Sequence, residues 1–235
     1  MRVLDVFSCI GCHAMGMQRS GHEVVALCEK NPWRRALLER AFGLTVHDDV
    51  RTIRPPQADI CFGGPPCQRT SVASAISGNR TGETLWPYMF SSGLSARAEW
   101  FVVEQPPGNA AWEREVASSL CDAGRHVAIF EFGACDVGAP YLRRRRYVVA
   151  CASLPRLALA RSALPQAIER AKRAAAARGD WDPSTIPTFG VDDWRSEDVH
   201  ERRERIEALG DSNPPAMAEA IGWMLDAVSR DSANG

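Results

Sequence analysis

The sequence predicts an α/β fold built on a doubly wound, mostly parallel β-sheet. Three observations carry that expectation. Short β runs alternate with helical stretches, the pattern of a sheet covered on both faces. Phe7, Glu29, Asp49, Cys67 and Glu104 all fall at the carboxyl ends of expected strands, where open α/β sheets bind ligands. The chain has 235 residues, 45% of them hydrophobic, enough to bury one full core with at most a small appendage.

The elements follow in order. Val3–Phe7 reads as the first strand, and the loop Ser8–Gly11 leaves it. Glu23–Cys28 is the second strand, closed by Glu29. Arg34–Phe42 reads as a helix, then Leu44–His47 as a third strand followed by Asp49 and Val50. Asp59–Phe62 is the fourth strand. It runs into Gly63-Gly64-Pro65-Pro66-Cys67. Each proline fixes φ near about −65° and restrains the residue before it. This stiff platform presents Cys67 at a strand end, which suits a positioned nucleophile. Trp100–Val103 is the fifth strand, ended by Glu104, and Ala110–Ala123 is a helix. His126–Phe132 and Tyr147–Ala152 are further strands. Arg161–Arg178 reads as a helix, with Arg161, Arg170, Lys172, Arg173 and Arg178 set against Glu169. Gly179–Asp193, with two Pro, two Gly and four Asp, reads as a loop, and Ala216–Val228 as a last helix. No internal repeat is visible.

Bulk properties bound the function. No run of 18 apolar residues occurs, so no membrane span is expected. The N-terminus enters a strand pattern directly, without a secretory signal. Eight cysteines in a chain without export signals imply reduced thiols and a cytoplasmic location. Net charge is −1, so nucleic acid would have to be held by a local patch. Lys30 and Lys172 are the only lysines among 28 basic residues, a bias that genomic base composition explains. Cys28, Cys61, Cys121, Cys135 and Cys151 sit in apolar runs and are expected to be inert.

Several blocks, in this order, resemble the cytosine-C5 DNA methyltransferase family. They are Asp5-Val-Phe-Ser-Cys-Ile-Gly11, Glu29, Asp49-Val50, Gly63-Gly-Pro-Pro-Cys67-Gln68, Val102-Val-Glu-Gln-Pro-Pro-Gly108, Pro140-Tyr-Leu-Arg-Arg-Arg145 and Gly210-Asp-Ser-Asn-Pro-Pro215. The resemblance runs from residue 3 to 228 apart from 152–195. It implies the Rossmann-like fold of S-adenosylmethionine-dependent methyltransferases and that cofactor. Cys67 would be the nucleophile that adds to C6 of cytosine. Its thiol, ordinarily near a pKa of about 8.5, has to lose its proton first. Glu104, working partly protonated, would donate to N3, with Arg143 and Arg145 completing the catalytic set. Phe7, Gly11, Glu29, Asp49, Val50, Pro66, Leu85, Asp211 and Ser212 would hold the cofactor. Gln68 and Ser71 would contact nucleic acid, and apart from the resemblance the basic helix with Arg161, Arg170 and Arg173 is expected to hold its phosphates.

The sequence also departs from the family. Cys9 replaces the usual first glycine of the cofactor loop, Gln105-Pro106 the usual Asn-Val, Tyr141 a glutamine and Asp211 an asparagine. The family inserts a target-recognition domain between the arginine block and the closing block, where this chain has little room. Residues 1–151 are therefore expected to form the catalytic and cofactor-binding core. Residues 152–195 would be a reduced recognition or connector segment, and 196–235 would complete the core. A short or relaxed DNA target follows from that reading. Single-stranded nucleic acid, RNA or a free pyrimidine nucleotide stays open as substrate. A weakened homologue that needs a partner protein for sequence recognition stays open too. Cys9-Ile-Gly-Cys12-His13 spells a haem-attachment string, but attachment of that kind needs export and the loop lies where the cofactor belongs. No metal is expected, since zinc would need two more ligands. A Cys9–Cys12 disulfide stays open.

Overall fold

The structure is a computed structural model that describes residues 1–66, 84–181, 204 and 207–231. Seven strands form one sheet: β1 Arg2–Val6, β2 Glu23–Cys28, β3 Val46–His47, β4 Ile60–Gly63, β5 Trp100–Gln105, β6 His126–Gly133 and β7 Arg144–Cys151. Their order across the sheet is β3-β2-β1-β4-β5-β7-β6. β7 is antiparallel to both neighbours, and every other pairing is parallel. A 3₁₀ turn at Ala134–Val137 lies in the connection from β6 to β7. That link is too short for a crossover, so the pair has to be antiparallel. Chain order reverses between β1 and β4, which opens a crevice at their carboxyl ends.

Helices α1 Cys12–Arg19, α5 Leu154–Arg178 and α6 Pro215–Asp231 lie on one face. Helices α3 Trp86–Ser95 and α4 Ala110–Asp122 lie on the other. α2 Pro32–Phe42 packs beside β3. Successive strand residues point to opposite faces, and the two cores divide accordingly. Val3, Ile60, Trp100 and Val102 meet α5 and α6. Leu4, Cys61, Phe101 and Val103 meet α3 and α4.

Three features differ from the sequence expectation. α1 and α3 are additional helices; each contains a glycine and neither has a side-chain N-cap bond, although Pro87 sits in the first turn of α3. α5 begins seven residues before the expected Arg161. Ser153 caps it by accepting from the Arg156 N–H at 3.4 Å, and Pro155 sits in the first turn, where an amide would be unbonded anyway. Ala160, Ala167, Ala171 and Ala175 are its buried stripe, so Leu154–Arg178 forms a layer of the core. Cys121, expected to be buried, is exposed on α4. Cys28, Cys61 and Cys151 are buried, and burial pushes all three thiols up. No helix among the described residues is long and apolar enough to cross a membrane.

Candidate active site

The carboxyl ends of β1 to β5 surround a cavity of about 690 Å³. Phe7, Glu29, Asp49, Val50, Pro66, Leu85, Glu104, Arg145 and Asp211 all line it. Most of the residues expected to serve cofactor and base therefore share one space.

The loop after β1 builds the cofactor side. Phe7 has φ 60° and Cys9 φ 51°, a left-handed conformation that costs a side-chain-bearing residue roughly 1–2 kcal/mol. This accounts for glycine being usual at Cys9, since glycine adopts it freely. Ser8 holds the turn: its N–H donates to Cys28 O at 3.0 Å and its hydroxyl to Asp5 O at 2.9 Å. The Cys9 thiol is pushed up to about 12, mainly by burial, against the lowering effect of Arg34. It is a packing group, and Cys9 and Cys12 are free thiols.

Glu29 is buried at the end of β2. Oε2 accepts the Cys9 N–H and Oε1 the Asn31 N–H, both at 2.8 Å. Burial raises its pKa while these two amides lower it, and the net shift is upward. Each oxygen keeps a further lone pair, which suits ribose hydroxyls. Asp49 accepts the Arg51 N–H at 2.9 Å, and that bond holds its pKa below the ordinary value. With the ring of Phe7, the two carboxylates fit a nucleoside. Asp211 reaches across the rim to Arg34 at 2.9 Å.

The base side centres on Glu104, which lies inside β5 opposite Tyr147 of β7. Its Oε1 is 2.7 Å from Arg145 Nε, although neither atom has a properly directed hydrogen bond. The contact is an ion pair set off the hydrogen-bond line. A Cβ on Gly64 would stand 2.8 Å from Glu104 Oε2, so a larger residue there would displace the carboxyl.

Other expected residues lie elsewhere. Arg143 has φ 31° and uses its guanidinium on the loop before α6. It donates to Asn213 Oδ1 at 3.1 Å, to Gly210 O at 2.6 Å and to Ser212 O. It lines a second, mostly apolar cavity of about 540 Å³ with Tyr141, Trp181 and Ser212. Gly11 caps α1 at φ 83°; a Cβ there would meet Phe42 at 2.6 Å, so it serves the approach of α2. Arg161, Arg170 and Arg173 line neither cavity. Arg170 stacks over Trp223 at 4.2 Å, and Arg173 faces Glu169 at 3.9 Å. Cys67, Gln68 and Ser71 lie outside the described residues, but Pro66, which precedes Cys67, lines the main cavity. No group of three or more His, Cys, Asp or Glu suited to a metal occurs among the described residues.

Sequence reasoning missed His13, which stacks on Phe62 at 4.4 Å and is inserted between Asp5 and Glu104. The available signal was Asp5 itself, a charged residue within an apolar strand.

A sequence profile of the C-5 cytosine-specific DNA methylase family matches residues 1–178. The type II methyltransferase M2.BsuMI of Bacillus subtilis is 32% identical over 166 residues, 66% of this chain and 42% of that protein. M.HgiDI of Herpetosiphon aurantiacus is 25% identical over 161 residues, 63% of this chain and 52% of that protein. The chain thus spans about half the length of these relatives. Among solved structures, a DNMT2 mutant from Spodoptera frugiperda superposes with a TM-score of 0.53 at 21% identity, over 65% of this chain and 50% of that one. A putative prophage DNA modification methyltransferase from E. coli does so with a TM-score of 0.52 at 19% identity, over 64% and 46%. These two establish the fold alone. With the profile covering most of its length, this chain belongs to the C-5 cytosine-specific DNA methylase family.

Proposed function

We propose that this chain methylates C5 of cytosine in DNA, using S-adenosylmethionine and a covalent bond from Cys67 to C6. The observation that carries the reading is the shared cavity. Glu104 and Arg145 meet at 2.7 Å on one wall, Phe7, Glu29 and Asp49 line another, and Pro66 brings the chain to Cys67. A volume of about 690 Å³ suits a cofactor-sized ligand.

Each part has a defined chemical task. Phe7 packs against adenine, Glu29 accepts the ribose hydroxyls and Asp49 accepts the adenine amine. When bound, the cofactor supplies an electrophilic methyl group on sulfur. C5 of cytosine is a poor nucleophile until the Cys67 thiolate adds to C6 and makes it enamine-like. Glu104 gives N3 a proton as that bond forms, while Arg145 fixes the carboxyl and the ring. C5 takes the methyl group, a base removes the C5 proton, and the thiol is eliminated. The cytosine has to leave its stack to reach the cavity.

The test is trapping with DNA that carries 5-fluorocytosine, because fluorine at C5 blocks the final elimination. The wild type should form a covalent adduct, and Cys67→Ser should lose both adduct and turnover. Equal trapping by the two proteins would refute the reading. Labelled cofactor offered with duplex DNA, single-stranded DNA, RNA and free nucleotides in parallel identifies the substrate.

A further inference from the structure

The geometry points to His13 as a positioning residue that holds a proton at Nε2 for the carboxyl of Glu104. The inference rests on the reading that Glu104 meets the base, and adds to it the source of the proton.

His13 sits in the first turn of α1, with its ring stacked flat on Phe62. Nδ1 lies 3.7 Å from Asp5 Oδ1. Asp5 is wholly buried, and neither of its carboxylate oxygens has a hydrogen-bond partner among the described residues. A buried carboxylate left so bare is costly unless a cation stands beside it, and the imidazole is the group placed to be that cation. On its other side, Nε2 lies 4.0 Å from Glu104 Oε2. The remaining oxygen of Glu104 is taken by Arg145. Acid and base thus alternate through the wall: Asp5, His13, Glu104, Arg145.

The charges around the ring favour its protonated form. Burial lowers the His13 pKa, but the close approach and charge of Asp5 and the charge of Glu104 outweigh it and Arg145, so the net shift is upward. Cys12, next to it in α1, is pushed up to about 11 by burial. Tyr147 of β7 is buried and raised well above its ordinary value. Both therefore keep their protons at neutral pH. An imidazole is the side chain that ordinarily exchanges one there.

The proton balance is simple. As a base enters and water leaves, the N–H bond at His13 Nε2 breaks with its electron pair staying on nitrogen. A lone pair of Glu104 Oε2 takes the proton, and the carboxyl passes it to N3 of the ring. The same proton returns when the ring departs, so the pair consumes none. The 4.0 Å separation is about 1 Å beyond hydrogen-bond reach, within the range of a small rotation of the Glu104 side chain.

The experiment has two arms. In the first, NMR follows the His13 ring through a pH titration in the wild type and in Glu104→Gln. Titration at lower pH in the variant supports the coupling; identical curves overturn it. In the second, single-turnover methylation is measured against pH in the wild type and His13→Gln. The variant should lose on the order of tenfold below the pH at which NMR finds the wild-type His13 ring titrating, and the two rates should converge as pH rises through it, as expected when a proton store is removed. A uniform loss at every pH would mean a merely structural role and would overturn the proposal. If His13→Gln does not fold, Asp5→Asn/His13→Phe removes both charges while keeping the ring stack, and the same profile is read from it. A wild-type rate in Glu104→Gln would overturn the Glu104 reading and this inference with it. A slow Glu104→Gln with an unmoved His13 titration would overturn this inference alone.

Discussion

Arg145 Nε stands 2.7 Å from Glu104 Oε1, and both side chains are largely withdrawn from water. A pair so placed polarises and steers a ligand more strongly than it would at the surface. Glu104→Gln keeps a donor for N3 but cannot release a proton. Its single-turnover rate should fall by about 10²–10⁴-fold, with DNA affinity changed far less. Rapid-quench methylation measured beside a binding titration checks this; matched losses in rate and affinity would assign Glu104 to binding only.

Glu29 anchors the cofactor side through both carboxylate oxygens. Glu29→Ala should weaken binding of S-adenosylhomocysteine by about 1.5–3 kcal/mol, the worth of a charge-assisted hydrogen bond. Calorimetry measures it, with a melting curve to confirm that the loop held by the Cys9 and Asn31 amides remains folded. Unchanged affinity in a folded variant would place the cofactor elsewhere.

Arg143 is expected to matter for stability more than for chemistry. Its guanidinium gathers Asn213, Gly210 and Ser212. Arg143→Ala should cost about 1.5–3 kcal/mol, and Arg143→Lys should recover little, because an ammonium lacks the planar fork that spans several acceptors. Thermal melts of the three proteins report it. An Arg143→Ala protein with wild-type stability and no activity would return Arg143 to the catalytic set.

Two histidines should shape stability against pH in opposite directions. His22 Nε2 is 3.0 Å from Gly222 O, and burial, only partly offset by that carbonyl, lowers its pKa below the ordinary 6.5. Its contribution is fully present above 6.5 and is lost as pH falls through the lowered value. His13 is raised from 6.5, so its contribution is present below 6.5 and is lost as pH rises through the raised value. Denaturant melts should therefore show that His22→Gln flattens the acid side of the stability curve and His13→Gln the alkaline side. Parallel curves for wild type and variant would contradict the assignment.

Much of this was legible in the chain. β2 matched the expected strand, and β4, β6 and β7 lay within a few residues of theirs, because apolar runs bounded by Gly, Pro and Asp have few other uses. The crevice was legible because carboxylates and loop glycines cluster at strand ends. Arg143 was not. A spacing of two puts Arg143 and Arg145 on one face of a strand, but β7 starts at Arg144 and the positive φ of Arg143 takes it out of the pleat. His13, hinted at only by Asp5, was missed for another reason. Its meaning depends on residues 5 and 104, brought together only by the pairing of β1 with β4 and of β4 with β5.

The close crossing of α1 and α6 bears on how the polypeptide is made. A Cβ on Gly16 would stand 2.3 Å from Pro215 O, so the first helix is shaped to receive the last. Met17 and Val3 share a buried cluster with Met217 and Ile221. Synthesis is vectorial, and the early strands emerge long before Pro215 does. Until then the face that α1 and α5 begin to cover lacks its final helix, and its apolar residues stay open to wrong contacts. Completion of the site waits on the same event, because the segment that Arg143 grips leaves the ribosome just ahead of α6.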